Sequence, residues 1–266
     1  MALKLIFSRK GSDTSYGKRA SLVAADGAML SVPIPEDGFA HGITYESIRG
    51  LPAGLSGLAH LDPDLRQQAL PRQPGWRPSF GQCDGALTHL LHQGVGVGDL
   101  FLFYGWFKGA FLPMRGSHVI WGWMQVGEMH WPEADVLPDW LTYHPHAAPA
   151  LKHHSRNVIF SAADRLTWPG VEGLPGAGVF DHYNASLRLS AGERMSQWSV
   201  PSFLIPADDH SVTMSRHRRR HFCDLGDGTA RLSTTSPGQE YVIDISRVPQ
   251  AWPWALSKLP FSRAGV

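Results

Sequence analysis

A polar loop near the N-terminus carries residue types that bind phosphate. Residues 3–7 are almost entirely apolar and predict a buried strand, and Arg9 and Lys10 follow it directly. Arginine offers phosphate a bidentate fork, and lysine offers a compact charge. Asp13 could act as a general base and Ser8 could orient the substrate. The other candidate substrate-binding residues of this loop are Ser15 and Tyr16.

A solvated turn is the alternative explanation of this loop. Asp and Ser side chains often bond to the backbone of a turn and need no ligand to do so. However, Arg9 and Lys10 would repel each other by about 1 kcal/mol if they lay close together and unpaired. We therefore expect a bound anion or Asp13 to offset their charges.

Two distant segments could complete a polar pocket with this loop. Gln82 precedes a predicted helix, whose first N–H groups attract anions, although an ordinary helix cap is the simpler explanation of that segment. Arg216 begins a basic run that could contact phosphate, with a solvated charged surface as the alternative. We predict that residues 8–17, Gln82 and Arg216 line one pocket.

The histidine-rich segments predict no metal site. His144 and His146 have a spacing that can bind metal, but no cysteine or carboxylate stands close by in sequence. His217 and His221 enclose three arginines, which would repel a cation. The sequence identifies no cofactor.

Two long apolar runs predict the centre of the fold. Residues 100–107 and 118–126 should form adjacent antiparallel strands, in which Gly105 and Gly122 indicate a bulge or a close backbone approach. Their apolar character would make them insoluble if exposed. Further strands are expected at residues 28–34, 157–162 and 240–245.

Short helices and long loops should connect these strands, because the chain has 28 glycines and 20 prolines. We predict helices at residues 45–48, at residues 84–93 with Asp84 as N-cap, and after Asp62, which would cap a helix that starts at Pro63. The mixed order of elements favours an α+β fold around a mixed, mostly antiparallel sheet.

Composition excludes several classes of protein. The 266 residues have a net charge of +1, so a general attraction to nucleic acid is not expected. Only two cysteines are present, which fits a reducing compartment. The N-terminal apolar run is too short for a signal peptide, and no run approaches the length of a membrane span. We expect a cytoplasmic protein with no membrane partner.

Several motifs together resemble one protein family. They run from about residue 3 to residue 244 and are IFSRKGSDTSYG, DGAMLSVPIP, ITYESI, FGQ, GVGVGDLFLFYGWF, HVIWGWMQVGE, HPH, GAGVF and GQEYVID. This set is similar to the nucleotide modification associated domain family, third type. The resemblance implies a role in bacterial and phage systems that modify DNA bases or nucleotides, including phage defence. It also implies one domain over residues 1–266 and makes the loop of Ser8, Arg9, Lys10 and Asp13 the leading candidate site.

A shorter similarity supports a rival function. Residues 94–129 are similar to PUA-like and EVE-type modules, in which a Gly-Asp turn leads a barrel strand and a pocket accepts a flipped, modified base. The sheet could then be a partly closed PUA-like barrel.

Three function hypotheses follow. The first is an enzyme, or an essential enzyme component, that binds a phosphate-bearing substrate and transfers a group to a nucleotide or DNA base. The second is a non-catalytic binder of modified bases, and the third is a structural partner of other proteins in a DNA modification system. A carboxylate or histidine with a perturbed pKa in the site would favour the enzyme. An aromatic pocket without a base would favour the binder.

Overall fold

A computed structural model describes residues 3–13, 17–36, 42–148, 156–192, 194–235 and 240–259. Within these residues the strands are β1 (Lys4–Arg9), β2 (Ser21–Val23), β3 (Met29–Leu30), β4 (Ile34–Pro35), β5 (Ala59–His60), β6 (Ser79–Cys83), β7 (Leu100–Gly109), β8 (Ser117–His130), β9 (Asn157–Ala162), β10 (Ala177–Val179), β11 (Gln197–Pro201), β12 (Phe222–Asp224), β13 (Thr229–Ser233) and β14 (Glu240–Asp244). The α-helices described are α1 (Asp84–His92) and α2 (Ala251–Leu256). Short 3-10 helices cover Tyr45–Ser47, Asp139–Leu141, Pro145–Ala147, Ala185–Leu187, Ser202–Leu204 and Arg219–His221.

One large sheet organises the molecule. Its strand order is β14-β1-β7-β8-β9-β6, with β10 added to β8 and with β2 joining the end of β7 to β3. β1 and β2 run parallel to β7, and the other neighbours are antiparallel. The sheet curls into a half-barrel and is accompanied by short helices. This combination confirms the predicted α+β fold. Two smaller ladders, β11-β13-β12 and β4-β5, lie outside it.

The two apolar runs form the predicted central pair. β7 and β8 are antiparallel neighbours, and most of their side chains are buried. Their register shifts between Phe103 and Tyr104, which is the irregularity that the glycines indicated. A Cβ on Gly105 would lie 2.7 Å from the carbonyl oxygen of Lys10, and one on Gly122 would lie 2.8 Å from Leu65. Both glycines therefore allow close approach, and Gly105 allows the chain after β1 to pack on β7.

The predicted helix after Asp62 is wrong. Residues 61–64 form an irregular segment between β5 and β6. The Asp62 N–H donates to the His60 carbonyl, and the Asp62 side chain accepts from Gly81 and Lys10 and does not cap a helix. Tertiary contacts therefore override the local Asp-Pro signal.

The other expected elements are present with changes at their ends. The helix predicted at residues 45–48 is the 3-10 helix Tyr45–Ser47, which is capped by Thr44. The predicted helix at residues 84–93 is α1, but its N-cap is Cys83, since Asp84 is already the first helical residue. The strand expected at residues 28–34 is divided into β3 and β4. β9 and β14 match the predictions for residues 157–162 and 240–245 within one residue.

No helix among the described residues has the length and apolar character needed to cross a bilayer.

We predict that the chain unfolds in a single cooperative transition. β1 lies between β7 and β14, so the N-terminal strand is shared by the middle and the end of the chain. Urea unfolding followed by tryptophan fluorescence and by circular dichroism should give coincident curves. Two separate transitions, or two stable halves after limited proteolysis, would contradict this prediction.

Candidate functional site

A buried carboxylate, Asp62, lies at the centre of a polar cluster. Its Oδ1 accepts the Gly81 N–H at 2.6 Å, and its Oδ2 lies 3.1 Å from the Lys10 Nζ. His144 Nε2 stands 3.5 Å from Oδ1, at the limit of hydrogen-bond length. Burial by itself would raise the pKa of Asp62, but the Lys10 ammonium and His144 hold it well below its usual range. Asp62 is therefore ionised inside the protein. We call Lys10, His60, Asp62, Gly81, His144 and His146 the Asp62 cluster.

Lys10 is fixed by the sheet that it follows. Its backbone N–H donates to the Tyr104 carbonyl of β7 at 2.8 Å. Its Nζ reaches across to Asp62 and to the Gly81 carbonyl oxygen, at 2.9 Å, and lies 5.0 Å from the centre of the Phe80 ring. An ammonium has three N–H donors, and these contacts use two of them. Among the described residues the third donor has no hydrogen-bond acceptor, so it could serve a ligand.

Gly81 of β6 joins the parts of the Asp62 cluster. Its N–H donates to Asp62 and its carbonyl accepts from Lys10. A Cβ at this position would lie 2.2 Å from the imidazole ring of His146, so only glycine leaves room for that ring. β6 thus aligns a carboxylate, an ammonium and an imidazole around one residue.

Two histidines of the cluster are oriented by oxygen atoms behind them. His146 Nδ1 lies 2.7 Å from Asn157 Oδ1, and His60 Nδ1 lies 2.7 Å from a Glu36 carboxylate oxygen. Burial lowers the pKa of His146 to about 3, so its ring is neutral. One atom each of His60, Asp62 and His146 lie within 4.8 Å of one another, so these three residues could hold a metal ion.

A second buried carboxylate, Glu240, lies at the start of β14. Its Oε1 accepts from Ser8 Oγ at 3.0 Å and from Gln82 Nε2 at 2.5 Å. Its Oε2 is buried and has no hydrogen-bond partner. Burial raises the pKa of Glu240 to about 7, although the positive charge of Lys10 opposes this shift. Asp62 and Glu240 therefore titrate in very different ranges within one polar region.

The structure divides the predicted loop between two environments. Successive residues of a strand point to opposite faces, and Ser8 contacts Glu240 while Arg9 lies 3.5 Å from Asp13. Arg9 and Asp13 both act electrostatically on His118. The two basic side chains are thus offset by different carboxylates. Ser15 and Tyr16 lie outside the described residues.

The two distant segments behave differently from each other. Gln82 meets Ser8 on Glu240, although it belongs to β6 and not to a turn. Arg216 is exposed and acts on His89 of α1 instead. Within the described part of the chain, no hydrogen bond or ion pair joins the Arg216 side chain to Ser8, Gln82 or Glu240.

Sequence reasoning did not identify Asp62, Glu240, His60 or His146 as site residues. His146 belongs to the HPH segment and Glu240 to the GQEYVID segment, so the motifs pointed to their neighbourhoods. Asp62 was assigned to a helix cap. No carboxylate is close to the HPH segment in sequence. The fold brings one there, because His146 Nε2 lies 3.9 Å from Asp62 Oδ2.

Residues that are near the Asp62 cluster in sequence form a separate aromatic pocket. It has a volume of about 300 Å³ and is lined by half-buried rings of Trp76, Trp140 and Tyr143 together with Arg72. The Arg72 guanidinium lies 3.9 Å from the centre of the Trp76 ring and forms a bidentate ion pair with Asp64. Such a pocket offers stacking surfaces to a planar ligand.

Comparison with known proteins identifies one family. The family model described as "Nucleotide modification associated domain 3" matches residues 4–244. No curated protein and no solved structure matches the chain significantly. The matched region contains the Asp62 cluster, Ser8, Gln82 and Glu240.

Replacing Gly81 with alanine should disrupt the cluster. The new methyl group would overlap the His146 ring, and overpacking of this kind costs about 1–3 kcal/mol. Urea unfolding should show that loss for Gly81→Ala. Gly85→Ala in α1 is the matched control, since a Cβ there meets open space and alanine favours helices. Equal stabilities of the two variants would contradict the assigned role of Gly81.

Glu240 should make stability depend on pH. Its pKa is about 7 in the folded protein against an ordinary 4.5, so the folded state holds a proton that the unfolded chain releases between these values. The free energy of unfolding should therefore fall as pH rises from about 4.5 to 7, by on the order of 3 kcal/mol in total.

The variant Glu240→Gln carries no titrating group and should lose this slope. Urea unfolding between pH 4.5 and 8 should show the variant gaining stability relative to the wild type as pH rises. The charged groups near Glu240 are Lys10 and Asp62, and both remain in the variant. Parallel pH profiles for the two proteins would rule out a raised Glu240 pKa.

Proposed function

Because the chain belongs to the nucleotide modification associated domain 3 family, we propose that it is an enzyme that acts on a nucleotide or a DNA base. The observation that carries this proposal is the pair of buried carboxylates with opposite pKa shifts. Asp62 stays ionised, whereas Glu240 has a pKa of about 7. Groups tuned apart in this way are typical of acid–base sites, and a pKa near 7 suits proton transfer at neutral pH.

Lys10 and Arg9 are the candidate ligands for phosphate. Lys10 has one N–H donor beyond those given to Asp62 and Gly81. The Arg9 side chain is 29% exposed, and its contact with Asp13 at 3.5 Å is long. Such a partly exposed pair contributes about 1 kcal/mol or less, so a phosphate can replace it at little cost.

Proton transfer is assigned first to Glu240. Ser8 and Gln82 both donate to its Oε1, so they hold the carboxyl group in place and leave Oε2 without a protein partner. Asp13 is a second candidate base, on the side of the sheet where Arg9 lies. Ser8 is assigned to holding Glu240 and not to orienting the substrate, because its hydroxyl donates to Glu240 Oε1.

The wider setting that we propose is a bacterial DNA modification or phage-defence system in the cytoplasm. Nucleotide or DNA would be the ligand, and other proteins of the system would be partners. The family membership supports this setting, since the family is described as associated with nucleotide modification.

A non-catalytic binder of modified bases is the second candidate function. The aromatic pocket of Trp76, Trp140 and Tyr143 favours it, because a volume of about 300 Å³ is at the lower end of small-molecule sites and its rings can stack on a base. The carboxylates of the Asp62 cluster favour the enzyme. The proposed enzyme requires Arg9 to bind phosphate, whereas the base binder requires Trp140 for stacking.

Arg9→Ala should weaken nucleotide binding at least tenfold and leave the thermal midpoint nearly unchanged, because Arg9 is proposed to bind phosphate through a partly exposed guanidinium. Calorimetric titration with deoxynucleoside mono- and triphosphates and short single-stranded DNA measures binding. Arg231→Ala removes an exposed arginine from β13 and is the matched control.

The same titrations with Trp140→Ala separate the two candidate functions. Loss of binding in Trp140→Ala with full binding in Arg9→Ala would support the base binder and reject phosphate binding at Arg9. An unfolded Arg9→Ala protein would show that Arg9 is a structural ion-pair residue.

A further inference from the structure

We propose that His60, Asp62 and His146 bind one divalent transition-metal ion. Metal binding goes beyond the proposed function, since the site would bind the ion whether or not the protein acts on nucleotides. Two segments supply the ligands: residues 60–62, at and just after the end of β5, and the 3-10 helix Pro145–Ala147.

The three side chains have the spacing of a metal site. One ligand atom of each lies within 4.8 Å of the others. Ligands at about 2.0–2.2 Å from a tetrahedral ion stand about 3.4 Å apart. His146 Nε2 and Asp62 Oδ2, at 3.9 Å, are already near this spacing, so movements of side chains alone would close the site.

The hydrogen bonds of His146 leave a lone pair on Nε2, the ring nitrogen that lies near Asp62. The Asn157 Nδ2 donates to the His146 carbonyl at 2.8 Å, so the amide oxygen of Asn157 faces the ring and accepts from Nδ1. The proton is therefore on Nδ1, and Nε2 carries a lone pair. Nε2 lies 3.9 Å from Asp62 Oδ2, so a cation could bind to both atoms.

His60 is arranged in the same way. Its Nδ1 lies 2.7 Å from Glu36 Oε2, so the ring donates from Nδ1 and keeps Nε2 as a ligand atom. Histidines that bind metals usually donate their other ring N–H to a carboxylate or carbonyl oxygen. Both histidines of this site have that second contact.

The charged groups around the site carry a net negative charge, which favours a divalent cation. The carboxylates of Asp62 and Glu36 contribute two negative charges, and the Lys10 ammonium contributes one positive charge. Lys10 lies 3.1 Å from Asp62 Oδ2 and already neutralises part of this charge. A metal ion between Asp62 Oδ2 and His146 Nε2 would bind both atoms and add to the charge compensation that Lys10 provides.

The donor set indicates the class of ion. Two imidazole nitrogens with one carboxylate oxygen suit Zn²⁺ or Fe²⁺, whereas Mg²⁺ and Ca²⁺ prefer oxygen ligands. Three protein ligands leave at least one coordination position for water or a substrate atom. The His60 side chain is 15% exposed and gives the ion a route from solvent.

The test uses the full-length protein after removal of metal with a chelator. Zn²⁺ titrated by calorimetry, and Co²⁺ titrated by its visible absorption, should each bind with a stoichiometry of one. His60→Gln and His146→Gln should weaken binding at least tenfold. His182→Gln replaces an exposed histidine after β10 and should bind like the wild type. Circular dichroism checks the fold of each variant.

Two outcomes would overturn the proposal. One is a wild-type protein without saturable binding of Zn²⁺ or Co²⁺. The other is a folded His60→Gln protein that binds as tightly as His182→Gln; if His146→Gln fails to fold, the partly exposed His60 decides the question. The titrations contain no nucleotide, and Arg9→Ala should bind the metal normally. Failure of the proposed function and failure of metal binding are therefore distinguishable.

Discussion

The buried charge of Asp62 is the constraint on which the site depends. Taking a carboxylate out of water costs several kcal/mol unless charges and hydrogen bonds compensate it. Gly81, Lys10 and His144 surround this carboxylate from three different segments of the chain. Satisfying one charge therefore fixes the relative positions of the end of β1, the middle of β6 and the segment that carries the histidines.

The sheet provides the rigid parts of this arrangement. β1 is held between β7 and β14, so Ser8 and Glu240 face each other as direct partners in the antiparallel ladder. β6 lies at the other edge of the main strand path, and it brings Gln82 to Glu240 and Gly81 to Asp62. Because the half-barrel curls, residues from its two edges meet. Asp62 and Glu240 therefore share one polar region, in which Lys10 acts on the pKa of both.

Much of the fold could be predicted from the sequence. Continuous apolar runs predict β7 and β8, and helical spacing with a following glycine predicts α1. These signals are local, and a buried strand pair leaves few alternatives. The family could also be predicted, since its motifs extend over nearly the whole chain.

The site was harder to predict because its contacts are not local. Asp62 precedes a proline, a pattern that also starts helices, and nothing nearby in sequence shows that its partners are Lys10 and Gly81. Glu240 opens a strand whose next three residues are buried, so the sequence pattern there indicates a strand and no site. Arg9 and Lys10 are adjacent in sequence but are separated by the alternation of the strand. Residue type identified the basic loop, whereas only the three-dimensional structure shows which carboxylate each side chain meets.

A double-mutant cycle on Lys10 and Asp62 tests most directly whether this buried ion pair organises the site. Unfolding free energies would be measured with chelator present for the wild type, Lys10→Met, Asp62→Asn and the double variant. Each single change should cost about 3–5 kcal/mol, because it leaves the opposite charge buried without its partner. The double variant should cost less than the sum by about 2 kcal/mol or more. Additive costs, within about 0.5 kcal/mol, would show that Asp62 and Lys10 are not coupled and would contradict the central role given to Asp62.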